Sequence, residues 1–430
     1  MTSDLLTGRV GADSSALTRL LSCSLETFAD EHWATAAKLS TYAERGDDDF
    51  SDLFSLEAVD ELLGRRGLRT PFIRMAKNGK TLPESAYTVG GGVGAGVGDQ
   101  VSDDKVLALF ADGATVVLQG LHRTWDPIVR WSQDLAGVLG HPVQVNAYVT
   151  PAQNQGFADH YDVHDVFVLQ IHGQKRWSIH EPVLDAPLRD QPWADRRDEV
   201  EAAAALPPAI DATLSPGDCL YLPRGFIHSA AALGGVTIHL TVGVHGWTRH
   251  HLAEALLTTA RSGLSLDPQV RASLPLGVDV SDESQIAGDV EAARAVLIRA
   301  IETASTDEIA AIMTGRARAA QRPETVSAVS AAAALSELTC SDTLRLREHL
   351  MLQHHRRDAT DEVVVRSRAG RFVLPASTQP ALERLLTGDP VVVAELHTDA
   401  ETALQVARTF VRNGVAIRLG PGAAPQSLTT

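Results

Sequence analysis

Three residues of this chain could hold one metal ion: His160, Asp162 and His228. His160 and Asp162 are two positions apart, and on a β-strand such residues point to the same face. His228 is distant in sequence and could supply a third ligand from another strand. Two histidines and one carboxylate on one face of an octahedral ion leave the opposite positions open, which is typical of non-haem Fe(II) oxygenases. The pattern therefore predicts an open-faced metal centre.

The residues alone leave two alternatives for this ligand set. An isolated His-x-Asp is weak in a chain with 16 histidines, and His164, two positions beyond Asp162, could share its face. Asp165 could replace Asp162 if the strand register were different. We expect structural roles for Cys219, which is beside the predicted site, and for the other histidines on or near strands. These histidines are His172, His180 and His239.

A cation lies at a suitable distance along the chain from the predicted metal ligands. Lys175 is fifteen residues beyond His160, on what we expect to be the neighbouring strand. An ammonium on a flexible stem can hold an acidic co-substrate. Apolar strands around it would exclude water from a reactive centre.

The elements that must position these residues are β-rich. Short apolar runs divided by Pro and Gly extend from about 114 to 245, interrupted by one clear predicted helix around 125–139. Many short, closely spaced strands favour a closed or double-sheet barrel. The predicted strands are 114–119, 143–149, 166–171, 176–179, 219–222 and 236–242.

The flanking regions have a different pattern of predicted secondary structure. Residues 1–60 read as mostly helical, 68–74 as a short strand, and the glycine-rich run 90–97 as a loop, because it lacks the ending of a phosphate-binding motif. Helical periodicity returns after Trp247. From 361 onward strands and helices alternate as in a winged-helix module. We expect an α+β protein with four parts. These are a supporting segment at 1–110, a catalytic core at 111–247, a helical region at 248–340 and a winged-helix-like domain at 341–430.

Composition excludes several classes of protein. The net charge of −16 argues against a nucleic-acid partner, and residues 361–430 balance seven Arg against seven Asp plus Glu. No run approaches the roughly 18 apolar residues of a membrane span. Three distant cysteines suggest free thiols in a reducing compartment. We therefore expect a cytoplasmic protein that binds neither membrane nor nucleic acid directly.

Four motifs together resemble the JmjC/cupin ribosomal oxygenases. They are TPFIRMAK at 70–77, TPAQNQGFADHYD at 150–162, FVLQIHGQKRW at 167–177 and LYLPRGFIH at 220–228. The resemblance implies a double-stranded β-helix (jelly-roll) core that binds Fe(II) through His160, Asp162 and His228. It also favours His160 over His164.

The same resemblance implies further site residues. 2-Oxoglutarate and O₂ would be co-substrates, with the distal carboxylate of 2-oxoglutarate on Lys175. Asn146 and Tyr148 match positions that line the co-substrate and substrate pocket. Gly243 stands about where the family can carry a pocket hydroxyl, and Thr241 is a nearby candidate for that contact.

The implied function is a 2-oxoglutarate-dependent dioxygenase that hydroxylates a His or Arg side chain of a protein, with a ribosomal protein as the implied substrate. The helical region would form a homodimer. Two alternatives stay open: an oxygenase acting on a peptide or small metabolite, and a non-catalytic cupin binding module. Which protein and residue are modified does not follow from the sequence.

Overall fold

The computed structural model describes residues 14–46, 48–77, 79–152 and 158–421. Part of the expected N-terminal helical segment (1–13) and part of the 150–162 motif (153–157) lie outside the described residues. The chain divides between Gly246 and Trp247 into two compact units. No helix in the described ranges is long and apolar enough to cross a membrane.

The first unit is built around one antiparallel sheet. The strands of this unit are β1 (Lys38–Ser40), β2 (Ile73–Lys77), β3 (Lys80–Thr81), β4 (Thr88–Val89), β5 (Gln100–Val101), β6 (Thr115–Leu118), β7 (Val143–Thr150), β8 (Asp165–His180), β9 (Ile210–Leu214), β10 (Cys219–Leu222) and β11 (Ile227–Val244). In the sheet they follow the order β1-β10-β8-β11-β7-β6-β2-β3, and β9 pairs with β8; β4 and β5 form a separate pair.

Two long strands, β8 and β11, run through the centre of this sheet. The sequence predicted two strands at 166–171 and 176–179, but β8 continues through Gly173 without a break. Gly173 has φ +65°, and a Cβ there would lie 2.4 Å from the carbonyl oxygen of Val236. Only glycine fits this position. The pairing of β11 with β8 shifts register between Leu233 and Ile238, so a bulge re-aims both strands at this point.

Helices pack against the sheet in the first unit. The predicted helix at 125–139 is confirmed as α6, which buries Ile128, Trp131 and Leu135. Helices of this unit are α1 (Ser15–Thr18), α2 (Leu25–Thr27), a π-helical turn (Phe28–His32), α3 (Leu56–Arg65), α4 (Asp103–Ala111), α5 (Leu121–Thr124), α6 (Asp126–Leu139) and α7 (Arg197–Ala204), with 3₁₀ turns Glu84–Ala86 and Trp193–Arg196.

The N-terminal region is less helical than its spacing predicted. Leu20 and Leu21 are buried in the core, but α1 ends at Thr18. A new helix starts where the Ser24 side chain accepts a hydrogen bond from the backbone N–H of Thr27. Serine and threonine compete for local backbone groups and so divide the segment. The short strand expected at 68–74 begins later, at Ile73, and pairs with β6.

The second unit contains four helices followed by a mixed region. Its helices are α8 (Arg249–Leu264), α9 (Glu283–Thr303), α10 (Thr306–Ala320), α11 (Ala328–Glu337), α12 (Gln379–Leu386) and α13 (Ala400–Arg412), with 3₁₀ turns Ala376–Thr378 and Val393–Glu395. Its strands are β12 (Asp342–Leu346), β13 (Gln353–Arg357), β14 (Glu362–Ser367), β15 (Gly370–Pro375), β16 (Val391–Val392) and β17 (Ala416–Pro421).

Two three-stranded sheets lie in this mixed region, in the orders β16-β12-β17 and β13-β14-β15. The alternation of strands and helices predicted after 361 is confirmed, while β12 and β13 precede it. The amphipathic helix α13 buries Val406, Phe410 and Val411 in a core shared with Val363 and Val365 of β14.

Candidate active site

The three predicted metal ligands come together at the start of β11. The backbone N–H of His228 donates to the carbonyl oxygen of His160 at 2.8 Å, and the N–H of His160 donates back at 3.2 Å. The sequence placed His160 and Asp162 on a strand; instead they lie in an extended segment before β8, and this isolated bridge holds it. The N–H of Gly225 donates to the carbonyl of Asp162 at 3.0 Å, so a second backbone bond fixes the segment.

The donor atoms of these three side chains are arranged as a metal site. One donor atom from each lies within 4.8 Å of the others, and Oδ2 of Asp162 is 3.8 Å from Nε2 of His228. The Nδ1 atoms of His160 and His228 lie 2.8 and 3.0 Å from the backbone carbonyls of Ala158 and Phe226. Such bonds place the proton on Nδ1 and leave Nε2 free for a metal. The donor set therefore fits a divalent transition metal.

Electrostatics also suit a cation at this position. Burial lowers the pKa of His228 to about 4, so the ring is neutral at physiological pH, as a ligand must be. Burial opposes the charge of Asp162, but His164, His228 and His160 together hold its pKa below the ordinary value. The site thus presents two imidazoles around an ionised carboxylate.

The two alternative ligands, His164 and Asp165, make contacts outside the donor cluster. Nδ1 of His164 lies 3.2 Å from the carbonyl of Asp165, and its ring packs against His245. The Asp165 carboxylate is buried and accepts hydrogen bonds from the Tyr221 hydroxyl at 2.8 Å and the Arg224 N–H at 3.1 Å. Asp165 therefore anchors the β8–β10 region, and neither residue joins the cluster of donor atoms.

The candidate ligands open into a cavity of about 240 Å³, which we call the main cavity. Lys175 lines the same cavity and is buried. Its Nζ lies 3.3 Å from Oγ1 of Thr150 and 3.4 Å from Nδ1 of His239, and burial lowers its pKa to about 7. Among described residues no carboxylate is within ion-pairing distance of it. The main cavity is also lined by Arg74, Tyr148, Val166, Val168, Trp177, Trp193, Ser229, Ala230 and Thr241.

The other predicted site residues divide between two cavities. Tyr148 and Thr241 line the main cavity, whereas Asn146 lines a neighbouring polar lobe of about 340 Å³. The Asn146 side-chain oxygen accepts a hydrogen bond from the N–H of Gly120 at 3.0 Å. The polar lobe shares Arg74, Tyr148, Asp162 and Thr241 with the main cavity and adds Gln119, Gly120, His122, Gln144, Asn146 and His164.

Two basic residues that line the main cavity, His239 and Arg74, were not predicted from the sequence as site residues. His239 was expected to be structural, yet it contacts Lys175. Arg74 received no role, although its guanidinium donates to the Tyr148 hydroxyl at 3.3 Å. The alternation of β11 was a usable signal for His239, because it shares a face with Thr241 two positions later. Arg74 comes from β2, remote in sequence from the ligands, and no spacing rule points to it.

Comparison with known proteins places this geometry in a family context. Residues 123–252 match the JmjC domain family. Ribosomal oxygenase 2 of Rattus norvegicus is 37% identical over 134 residues, which are 31% of this chain and 27% of that protein. The bifunctional lysine-specific demethylase and histidyl-hydroxylase NO66 of Drosophila erecta is 28% identical over 237 residues, or 53% of this chain and 33% of that protein.

Solved structures extend the likeness to most of the chain. The ribosomal oxygenase YcfD of Escherichia coli, in complex with cobalt and 2-oxoglutarate, has a TM-score of 0.51 and 17% identity, covering 93% of this chain and 99% of that chain. At this identity the likeness shows the fold alone. Together with the match of residues 123–252 to the JmjC domain family, it confirms the predicted JmjC/cupin core. The matched span is about a third or less of the length of the two curated relatives named above. Residues 123–252 are therefore a JmjC domain, in a chain related to the ribosomal oxygenases.

Proposed function

We propose that this protein is an Fe(II)- and 2-oxoglutarate-dependent oxygenase that hydroxylates a protein side chain. One cavity supports this proposal most directly, because it is lined by the donor cluster His160, Asp162 and His228 and also by the buried Lys175. Bound iron would supply the oxidative decarboxylation of 2-oxoglutarate by O₂, coupled to insertion of one oxygen atom into a C–H bond.

The chain's own residues bind and orient the reactants in this scheme. His160, Asp162 and His228 would hold the metal with their donor atoms on one side. Lys175, whose Nζ lies 3.3 Å from the Thr150 hydroxyl, would hold the distal carboxylate of 2-oxoglutarate, since it lines the cavity. Apolar side chains on β8 limit access of water, which strengthens the ionic contact with the lysine. These apolar residues are Val166, Val168 and Trp177.

The polar lobe favours histidine over arginine as the modified residue. Gln119, Gln144 and Asn146 offer amide donors and acceptors, and Asp162 is the one carboxylate among the described lining residues. A guanidinium entering the lobe would meet Arg74 and find no carboxylate except a metal ligand, which is costly for a desolvated charge. A neutral imidazole pairs with amides. Matched peptides carrying His or Arg test this: oxygen gain on the Arg peptide alone contradicts it.

A ribosomal protein is the proposed substrate, because the relatives are named ribosomal oxygenases and histidyl-hydroxylase. Mass spectrometry of ribosomal proteins from cells with and without this gene tests the proposal. We expect one peptide to carry one additional oxygen atom, on a histidine, only when the gene is present. Identical ribosomal proteins in the two strains would contradict the ribosomal substrate and favour a peptide or small metabolite.

We also propose that the helical region at 248–340 forms a homodimer. Leu252 and Leu257 on α8, and Val290 and Ile298 on α9, are exposed apolar side chains. Exposed apolar side chains of this kind mark association surfaces when they are contiguous. Light scattering should give twice the chain mass, and Leu257→Lys should give monomers. A monomeric wild-type protein at micromolar concentration would contradict the dimer.

A further inference from the structure

A groove in the first unit is separate from the main cavity. Its volume is about 460 Å³, and it is lined by α3, α4 and three valines of the sheet, Val116, Val149 and Val236. Val149 follows Tyr148 on β7, and successive side chains of a strand point to opposite faces. Tyr148 lines the main cavity, and the two cavities share no lining residue. The groove therefore lies on the opposite face of β7 from the proposed oxygenase site.

The two helices line this groove over two turns each. Their lining residues recur three or four positions apart, so they share one face of each helix. At 1.5 Å per residue, the lining extends for about 10 Å along each helix. The helical lining residues are Leu56, Val59, Asp60, Leu63 and Gly64 on α3, and Asp103, Asp104, Val106, Leu107 and Phe110 on α4.

The apolar part of this lining is accessible from solvent. Leu107 is 67% exposed and Leu56 is 38% exposed, whereas Val116 and Val149 are buried. The exposed leucines thus stand beside a recess with buried valines in its lining. A recessed apolar surface of this kind is typical of binding sites for ligands or partner proteins.

Three carboxylates accompany the apolar lining. Asp60, Asp103 and Asp104 are exposed, and none of them has a salt-bridge partner within 4.0 Å among the described residues. Lys105, the cation next to them in sequence, instead donates to two backbone carbonyl oxygens at 3.2 and 2.8 Å. The groove is therefore apolar with an uncompensated negative rim, which complements an apolar ligand that carries positive charges.

The strands that line the groove offer no free edge to a peptide. Val116 and Val149 are register partners, and on their other sides they pair with Met75 and Ile238. An extended segment therefore cannot add to the sheet at these positions. Phe110 is the one aromatic residue in the described lining, whereas polyproline segments bind grooves lined by several. A helix with apolar side chains at i, i+3, i+4 and i+7 matches a groove of two turns.

We propose that this groove binds an amphipathic helix of a partner protein. The apolar side chains of that helix contact the leucines and valines, and its Lys or Arg residues lie beside Asp60, Asp103 and Asp104. A second copy of this chain suits the groove less well, because a chain with a net charge of −16 brings like charge to the negative rim. No metal ligand takes part, so this binding does not depend on the proposed oxygenase activity.

The test uses the full chain and a fluorescently labelled synthetic helix of about 16 residues, measured by anisotropy. The helix carries Leu at i, i+3, i+4 and i+7 and Lys on both sides of the leucines, and a scrambled peptide has the same composition. The patterned helix should bind saturably, and the scrambled peptide at least about tenfold more weakly. Leu107→Lys should weaken binding of the patterned helix at least about tenfold. Ala108→Lys is the matched control, since it adds the same charge at the next exposed position of α4, outside the groove, and should bind as the wild type does.

A second pair of variants tests the negative rim. Asp60→Asn with Asp104→Asn should weaken binding by about threefold to tenfold, as expected for two exposed ion pairs. Glu26→Gln with Asp30→Asn removes the same net charge at exposed positions elsewhere in the first unit and should not change binding. Urea unfolding followed by tryptophan fluorescence shows whether each variant keeps the first unit folded, because every tryptophan except Trp247 lies in that unit.

Several results would overturn the proposal. These are no binding of the patterned helix by the wild type, equal binding of the scrambled peptide, and equal weakening by Ala108→Lys. Equal affinity for an uncharged apolar helix would remove the basic partner. Self-association of the wild type that Leu107→Lys abolishes would assign the groove to a second copy of the chain. Binding that appears only after removal of residues 1–13 would assign it to the chain's own N-terminal segment.

Discussion

Nζ of Lys175 lies 3.4 Å from Nδ1 of His239, and both residues line the main cavity. The His239 ring stacks on Tyr148 at 5.0 Å between centroids and meets the edge of Trp177 at 5.4 Å. Burial, and then the charge of Lys175, hold the pKa of His239 well below its ordinary value. A neutral, immobilised imidazole therefore accepts a hydrogen bond from the lysine and orients it.

His239→Leu removes this hydrogen-bond acceptor and fills the space of the ring with an apolar side chain. Because a hydrogen bond to a charged group contributes about 1.5–3 kcal/mol, we expect 2-oxoglutarate to bind at least about tenfold more weakly. Calorimetry with Mn(II) present measures the effect. His239→Asn, which restores an acceptor, should recover part of the affinity. Equal affinity in the leucine variant and the wild type would mean that His239 only fills space.

Lys175→Ala should weaken 2-oxoglutarate binding much more. Loss of one partner of a buried ionic contact costs about 2–5 kcal/mol. The affinity for the metal alone, measured by calorimetry, should stay within a few-fold of wild type, because Lys175 is not one of the donor residues His160, Asp162 and His228. Lys80→Ala, at an exposed position on β3, is the matched control. A Lys175 variant with wild-type affinity for 2-oxoglutarate would remove the lysine from the site.

The same lysine predicts a pH dependence. Burial lowers the pKa of Lys175 to about 7, so the free protein carries a neutral amine above that pH. A bound carboxylate favours the ammonium form, and binding above pH 7 must then take up a proton, with affinity falling up to about tenfold per pH unit. Calorimetry at pH 8 in two buffers of different ionisation enthalpy should show uptake approaching one proton. Uptake should vanish at pH 6 and in Lys175→Ala.

The proposed metal ligands include His160 but not its neighbour His164. His160→Ala should weaken binding of Mn(II) or Co(II) by more than the roughly 10–100-fold typical of losing a group that only supports a ligand. His164→Ala is the matched control, since its ring lies nearby but outside the donor cluster, and it should retain affinity within a few-fold. The reverse order of effects would show that the ligand set has been misassigned.

Local patterns explain why the sequence predicted so much of the site. Lys175 and the helix at 125–139 lie in a strand and a helix whose patterns are local. His160 and Asp162 lie outside a strand, so their choice as ligands depended on the family resemblance and not on strand spacing. The uninterrupted path of β8 could not be predicted from such local patterns. Gly173 allows β8 to continue past the carbonyl of Val236, which is a tertiary contact that no periodicity records.

The residues that were missed depend on contacts between distant strands. Arg74 reaches Tyr148 because β2 pairs with β6, and β6 with β7.

The stoichiometry of the reaction tests the proposed 2-oxoglutarate-dependent oxygenase activity most directly. Purified protein is supplied with Fe(II), 2-oxoglutarate, O₂ and a ribosomal protein mixture, and succinate and peptide-bound oxygen are both measured. We expect one succinate per oxygen atom added to a histidine. We expect neither product from His228→Ala. If succinate formation and oxygen incorporation persist in that variant, the proposed function is contradicted. The absence of both products from the metal-loaded wild-type protein, with every substrate class tried, would also contradict it.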